Sequence, residues 1–458
     1  MIESVDVVIV GAGPAGMAAA LHLHGLGIRV RVLDDQASPG GQIYRGIQQV
    51  PAARGALLGP DYLAGAARVR EFLASGIDYV PLASVWLLTA ERELHYRAAG
   101  LSRRVQARAV LLCCGAYERP MPIPGWTLPG VMTAGAGQIQ LKSAGQVPAA
   151  PVILAGSGPL LYLLAWQYLQ AGVGIAALVD TATFADGLRA LRYLPRALGN
   201  ARQLAKGLGL LRAIRGAGVP WFRAASDLGV EGHTRAEGLR FVSAGRSYHL
   251  PGSLILLHQG VVPNTQPTLA LQAAHRWDEP RQCWVAEQSA WGELSVPGYF
   301  VAGDGAGIEG AEAAALQGRV AAIGIALALQ RITAEEAADR ARPWRRRLAR
   351  VQRARPFLDT LYRPQPAYLA PADGTIVCRC EEVTAGAIRQ YAALGCLGPN
   401  QAKAYGRCGM GPCQGRQCGL AVTRLLADAR GLTPAEVGYY RIRPPLTPIS
   451  LAELADEQ

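Results

Sequence analysis

Six of the nine cysteines in this 458-residue chain fall between residues 378 and 418. Cys378 and Cys380 form a Cys-x-Cys pair, Cys413 and Cys418 a Cys-x4-Cys pair, and Cys408 with Cys413 a second pair of that spacing. Four thiolates converging from two short pairs suit either tetrahedral zinc or a [2Fe–2S] cluster. Spacing alone does not choose between them, and unligated reduced thiols are a third reading. Cys113 and Cys114 are adjacent and cannot easily pair, so they read as small buried hydrophobes, and Cys283 and Cys396 as packing residues.

A second chemistry sits at the N-terminus, in DVVIVGAGPAGMAAALHLHGLGIRVRVLDD. An apolar strand leads into Gly11, Gly13, Pro14, Ala15 and Gly16, then an alanine-rich helix, then a second strand ending at Asp34. Gly11 permits the tight turn, Gly13 lets backbone approach a pyrophosphate, and Gly16 lets helix and strand pack closely. The helix N-terminus offers free N–H groups and a positive dipole end to the phosphates. Asp34 stands where a carboxylate accepts hydrogen bonds from ribose hydroxyls. Gly156 and Gly158 repeat the pattern in GSGPLL, with Asp180 ending the following strand. There the third glycine position is Leu161, which pushes helix from strand and weakens the case for a bound nucleotide. An NAD- or ATP-like occupant and a relic fold kept for packing both stay open.

The elements that position these residues follow from the chain's length and composition. Half of the residues are hydrophobic, 17% are charged, and 54 glycines with 30 prolines follow no period. That excludes a disordered chain, a collagen-like rod and a coiled coil, and the length suits several domains. Only Lys142, Lys206 and Lys403 among the 46 basic residues are lysine, so the net charge of +12 reads as arginine usage rather than a nucleic-acid footprint. Two stretches concentrate it. Residues 340–355 hold eight arginines, and Arg189 to Arg215 holds seven basic residues and no acid. These read as solvated helical faces, or as docking faces for an acidic partner or anionic headgroups. The uncharged run 152–179 is long enough to span a bilayer, but reads as strand, glycine turn, helix and strand of a buried sheet. The first apolar run, Val5 to Val10, contains Asp6 and reads as a strand rather than a secretory signal. A cytoplasmic setting keeps thiols reduced, which favours a metal for the cysteine crowd.

The segments GAGPAG, SPGGQIYR (38–45), AVLLCCGAYERPMPIPGW (109–126) and PGYFVAGDGAG (297–307) resemble the two-dinucleotide flavoproteins. The resemblance implies FAD in the first fold, contacts from Gly41, Gln42, Gly115 and Gly303, and Asp304 meeting the ribityl chain before a helix near Glu309. The disulfide-reducing members carry a cysteine pair beside the flavin. No cysteine precedes Cys113 here and none lies between Cys114 and Cys283, which excludes thiol–disulfide exchange as the main chemistry. CRCEEVT, a helix and GMGPCQGRQC resemble the bacterioferritin-associated-ferredoxin-like [2Fe–2S] domain. That register makes Cys378, Cys380, Cys413 and Cys418 the ligands, with Cys408 the alternate to Cys418 because the last pair is wider than in the small ferredoxin.

Joined in one chain, these parts resemble the large FAD subunit of bacterial heteromeric amine dehydrogenases, the octopine and nopaline oxidase, D-hydroxyproline dehydrogenase and hydrogen cyanide synthase type. The resemblance implies an α/β fold with two Rossmann-like units of the glutathione-reductase kind plus a small helical iron–sulfur domain. The expected order is an FAD domain (1–148), a second Rossmann domain (149–255), an FAD-domain return (256–335), a basic helical linker (336–372), the iron–sulfur domain (373–435) and a tail (436–458). It further implies an electron-transfer role beside a glycine-oxidase-like flavin subunit that oxidises the C–N bond of an amino acid or opine. A small ferredoxin-like subunit is a further candidate partner. Electrons would pass through the cluster and this chain's FAD to a quinone or cytochrome-type acceptor, at the inner face of the membrane. No histidine, serine or carboxylate constellation announces a catalytic acid or base. The alternative is a self-contained NAD(P)H-dependent flavin and iron–sulfur reductase.

Overall fold

The computed structural model describes residues 3–455. The first glycine segment builds as its pattern dictates. Strand Glu3–Val10 lies between Val30–Leu33 and Leu101–Leu112, both parallel to it, and Asp78–Val80 extends the sheet beyond Val30–Leu33. Val7, Val8 and Ile9 are wholly buried, because helices or a second layer cover both faces of such a sheet. Strand Leu101–Leu112 divides its partners. Its first half pairs antiparallel with Glu93–Ala98, and its last residues pair parallel with Tyr299–Val301, which returns from much later in the chain.

The second sheet is all parallel, in the order Trp221–Phe222, Ile175–Asp180, Val152–Ser157, Ile255–Gln259, Val131–Thr133. The uncharged run 152–179 is thus strand, helix Pro159–Gln170 and strand, buried within this unit. The expected boundary at 149 falls inside the unit rather than at its edge. Val131–Thr133 pairs with Ile255–Leu257, and Ala116–Glu118 pairs antiparallel with Val261–Pro263 where the chain enters and leaves. The crossover from Asp180 to Trp221 is expanded into helices Phe184–Leu191, Leu194–Ala197 and Ala201–Gly216.

Helix Ala311–Ala328 has enough length and apolar content to cross a membrane, yet 67% of it is buried in this fold. It lies across helix Pro14–His24, so closely that a Cβ at Gly318 would collide with the Ala15 carbonyl, and one at Gly303 would lie 2.9 Å from the Ala15 Cβ. Arginine-rich helix Ala334–Val351 starts at a Thr333–Glu336 capping box and buries Ala337 and Ala341 against Ala311–Ala328, so the expected linker is a packed element.

The C-terminal module consists of helices Ala385–Ala393, Pro399–Gly406 and Gly419–Arg430 around a two-stranded ribbon, Ile376–Cys378 with Val383–Thr384. The expected tail from 436 belongs to this module. Tyr440, Ile442 and Leu446 are buried in one core with Cys408, Cys418 and the sheet residues Val8 and Leu94. The Leu446 amide donates to the Trp86 carbonyl at 2.7 Å, tying the tail to the first domain.

The close helix crossing makes a direct test. Gly318→Ala forces the two helices apart and is expected to lower stability by about 1–3 kcal/mol in denaturant unfolding. Gly207→Ala, where nothing lies within 4 Å of the added Cβ, is expected to raise it by up to ~1 kcal/mol through helix propensity.

Candidate functional site

The two glycine folds end in equivalent carboxylates that meet different surroundings. Asp34 is buried at the end of Val30–Leu33; its Oδ1 accepts from the Gln36 amide at 3.3 Å, while Oδ2 has no hydrogen-bond donor among the described residues. The Tyr79 hydroxyl lies beside this carboxylate but is itself buried without a hydrogen bond of acceptable geometry. Burial, then the neighbouring Asp35 charge, pushes Asp34 up to about 7. A buried acceptor left open in this way is matched to ribose hydroxyls.

Around it the loop fits a dinucleotide. Gly11 is held at φ +102°, where a Cβ would lie 2.5 Å from the Cys113 carbonyl, and a Cβ at Gly16 would collide with the Gly11 carbonyl. Gly13 caps helix Pro14–His24 without any side-chain cap, so the N–H groups of that helix end are free for phosphate oxygens. Facing it, Gly41 sits at φ +60°, and its Cβ would lie 3.0 Å from the Gly13 Cα. Lys142 holds this covering loop by donating to the Gln42 carbonyl at 3.0 Å; burial pushes its ammonium down to about 8. Asp304 accepts from the Glu309 and Gly310 amides at 3.1 and 3.2 Å, which fixes it just before the helix beginning at Ala311. The Gly303 amide donates to the Gln317 Oε1 at 2.8 Å, and Gly115 stands at φ +66° beside Gly305. All the residues expected to hold FAD therefore converge on one helix N-terminus and one open carboxylate.

At the second fold the corresponding positions are taken by the protein. Asp180 Oδ2 accepts from the Tyr162 hydroxyl at 2.8 Å, and Oδ1 from the Ala182 amide at 2.9 Å. Tyr162 packs against Trp221 and Tyr362, each at 5.8 Å between ring centroids. The buried His258 ring stands 3.1 Å from where a Gly158 Cβ would be, and Glu118 holds its Nδ1. Leu161, in the third glycine position, is wholly buried between helix and sheet. Nothing in the sequence signals His258, Glu118, Tyr162 and Tyr362, because their contacts join residues up to 200 positions apart.

The cysteine crowd does converge. The sulfurs of Cys378, Cys408 and Cys418 all lie within 4.8 Å of one another, fully buried, and Cys380 pairs with Cys413 beside them. Hydrogen bonds from the Cys408 and Cys418 thiols hold Cys378 down, to about 2. The structure thus brings both Cys408 and Cys418 to Cys378 rather than one in place of the other. No disulfide joins any of the nine cysteines. Cys113, Cys283 and Cys396 are buried and Cys114 half-buried, away from this cluster. A set of five converging thiols suits a metal or an iron–sulfur cluster, whose ligands must be thiolates.

A tyrosine pair completes this site. The Tyr440 hydroxyl donates to Cys408 Sγ at 3.4 Å and lies 3.8 Å from Cys418 Sγ. Next to it Tyr439 is edge-on, 5.7 Å between ring centroids; its hydroxyl donates to the Gly415 carbonyl at 3.3 Å, and it shares an apolar cluster with Tyr117, two residues beyond Gly115. The glycines of GMGPCQGRQC make room for these rings: Cβ atoms at Gly409 and Gly415 would each lie 2.5 Å from Tyr440.

The pyridine nucleotide-disulphide oxidoreductase profile matches residues 5–318, and the sarcosine oxidase A3 domain profile matches 373–458. The chain is 45% identical to an opine oxidase subunit from Rhizobium meliloti, over 99% of this chain and 88% of that one. It is 32% identical to hydrogen cyanide synthase subunit HcnB of Pseudomonas aeruginosa, over 96% of each chain. L-proline dehydrogenase from P. horikoshii shares the fold, with a TM-score of 0.70 and 17% identity over 99% of this chain and 80% of that one.

Asp34→Ala is expected to weaken FAD retention roughly 10- to 100-fold, the effect of losing a hydrogen bond worth ~1.5–3 kcal/mol to a charged group, read from flavin fluorescence released on dilution. In the cofactor-free chain the raised Asp34 carboxyl favours folding below about pH 4. That contribution, about 4 kcal/mol for a shift from 3.8 to about 7, is lost as pH rises through 7. Asp34→Asn is expected to flatten this pH dependence in unfolding titrations.

Proposed function

Because the chain belongs to the pyridine nucleotide-disulphide oxidoreductase family, among the flavoprotein oxidoreductase subunits of the opine oxidase type, we propose that it is the electron-transfer subunit of a hetero-oligomeric dehydrogenase for an amino acid or opine. The observation that carries this reading is the union, in one buried core, of thiols clustered at Cys378 with the sheet that presents Asp34. When bound, FAD and a [2Fe–2S] cluster supply two-electron and one-electron chemistry respectively.

The chain's own residues hold and tune these groups. Asp34 and the free N–H groups after Gly13 bind the dinucleotide, and the Gly40–Gln42 loop, pinned by Lys142, covers it. As the resemblance implies, Cys378, Cys380, Cys413 and Cys418 would ligate the cluster, with Cys408, grouped with Cys378 and Cys418, as a fifth thiol receiving the Tyr440 hydrogen bond. The Tyr440 hydroxyl also lies 3.8 Å from Cys418 Sγ, and a hydrogen bond to a ligand sulfur stabilises the more negative state, which raises the reduction potential. Tyr440 packs edge-on against Tyr439, which shares one apolar cluster with Tyr117, two residues beyond the turn at Gly115.

C–N bond oxidation then belongs to a separate glycine-oxidase-like flavin subunit, with a small ferredoxin-like subunit as a further partner. The acceptor is of quinone or cytochrome type, and the complex works in the cytoplasm at the inner membrane face. Against the NAD(P)H reductase reading stands the second fold, where Tyr162 and His258 take the ribose and phosphate positions.

Iron and acid-labile sulfide analysis of the purified chain tests the cluster, with about two irons and two sulfides per chain expected. Cys418→Ser is expected to lose both, and Cys408→Ser to keep them. Zinc without sulfide, or loss through Cys408→Ser alone, rejects the assignment.

A further inference from the structure

The expanded crossover of the second Rossmann unit carries Phe184, the most exposed large apolar side chain among the described residues, and four further exposed leucines. Helix Phe184–Leu191 is amphipathic in the inverted sense. Asp186 and Ala190 face inward, while Phe184, Leu188 and Leu191, spaced at four and three residues, are 85%, 62% and 53% exposed. Leu198, on the turn that follows, and Leu208, within helix Ala201–Gly216, are 59% and 54% exposed. Leaving an apolar helical stripe in water is unfavourable, and such a patch marks a surface that something covers.

The charge around the stripe says what covers it. From Arg189 to Arg215 there is no acidic residue. Among the described residues, Arg192, Arg196, Arg202, Arg212 and Arg215 form no ion pair; only Arg189 and Lys206 do, with Asp186 and Asp61. The arginine-rich helix Ala334–Val351 adds to the same face. Its end packs on the turn at 198–200, where Val351 O accepts from Asn200 Nδ2 at 3.2 Å and Arg353 lies against Gly199. Two basic stretches far apart in the sequence, one ending at Arg215 and the other beginning at Arg340, thus meet at this turn.

We propose that this face seats on an anionic bilayer surface, with Phe184, Leu188 and Leu191 entering the headgroup–acyl boundary and the arginines pairing with lipid phosphates. Exposed Phe and Leu on one helical face, flanked by arginine without acid, is the composition of an interfacial helix. The inference goes beyond the electron-transfer reading and does not depend on it, since vesicle binding reads the surface whatever the cofactors do.

The test is flotation of the full-length chain with vesicles of phosphatidylglycerol and phosphatidylcholine, against vesicles of phosphatidylcholine alone. Binding is expected only to the anionic vesicles, with release at high salt as charges are screened. Each basic residue at such a surface contributes about 1 kcal/mol, so Arg196→Glu with Arg202→Glu is expected to reduce partitioning at least 25-fold. Phe184→Ser with Leu188→Ser is expected to reduce binding to the anionic vesicles at low salt at least tenfold, through the lost apolar insertion. Unchanged flavin absorbance and circular dichroism establish that both variants fold. Equal partitioning to neutral and anionic vesicles, or wild-type binding by either folded variant, overturns the proposal. So does loss of a copurifying flavin subunit with vesicle binding intact, which assigns the face to a protein.

Discussion

A carboxylate buried at the end of a sheet strand has to be satisfied, and the rest of this molecule depends on how its two such carboxylates are satisfied. Asp180 is answered from within, by the Tyr162 hydroxyl and the Ala182 amide. Asp34 keeps one oxygen without a donor, at an energetic penalty that a bound ribose removes. One dinucleotide fold therefore keeps an open acceptor, while the equivalent carboxylate of the other is satisfied within the protein. The helix crossing at Ala15, Gly303 and Gly318 carries this difference outward, because it brings Asp304 from late in the chain to the open glycine loop.

The C-terminal module obeys a related constraint. Three buried thiols, with Cys380 and Cys413 beside them, need a common partner, and the tail supplies part of the enclosure through Tyr440. Leu446, whose amide donates to the Trp86 carbonyl at 2.7 Å, and Trp126, which donates to the Ile376 carbonyl at 2.7 Å, lock the module onto the two Rossmann units. The cysteine site and the open glycine fold are thereby parts of one packed body rather than beads on a linker.

Much of this is legible in the residues. Gly11, Gly13, Gly16 and Asp34 announce their geometry because strand, turn and helix are local in sequence. The crowding of cysteines between 378 and 418 announces a ligand set for the same reason. What escapes is whatever depends on distant pairing. Strand Val131–Thr133 joins the second sheet only through Ile255–Leu257, so that unit starts earlier than its local pattern suggests. Residues from 436 onward look like a tail until Tyr439 and Tyr440 are seen against Gly409, Gly415 and the thiols. Leu161 hints that the second glycine fold is altered, but the side chains that fill it come from three separate segments.

With Asp180 already satisfied by Tyr162, we propose that only the first fold exchanges electrons with a nucleotide cofactor. The decisive measurement is anaerobic titration of the flavin-loaded chain with excess NADH, and separately NADPH, followed by absorbance at the flavin band. The flavin is expected to stay oxidised with both. Stoichiometric bleaching by either nucleotide would make the second fold a working nucleotide site and overturn this assignment.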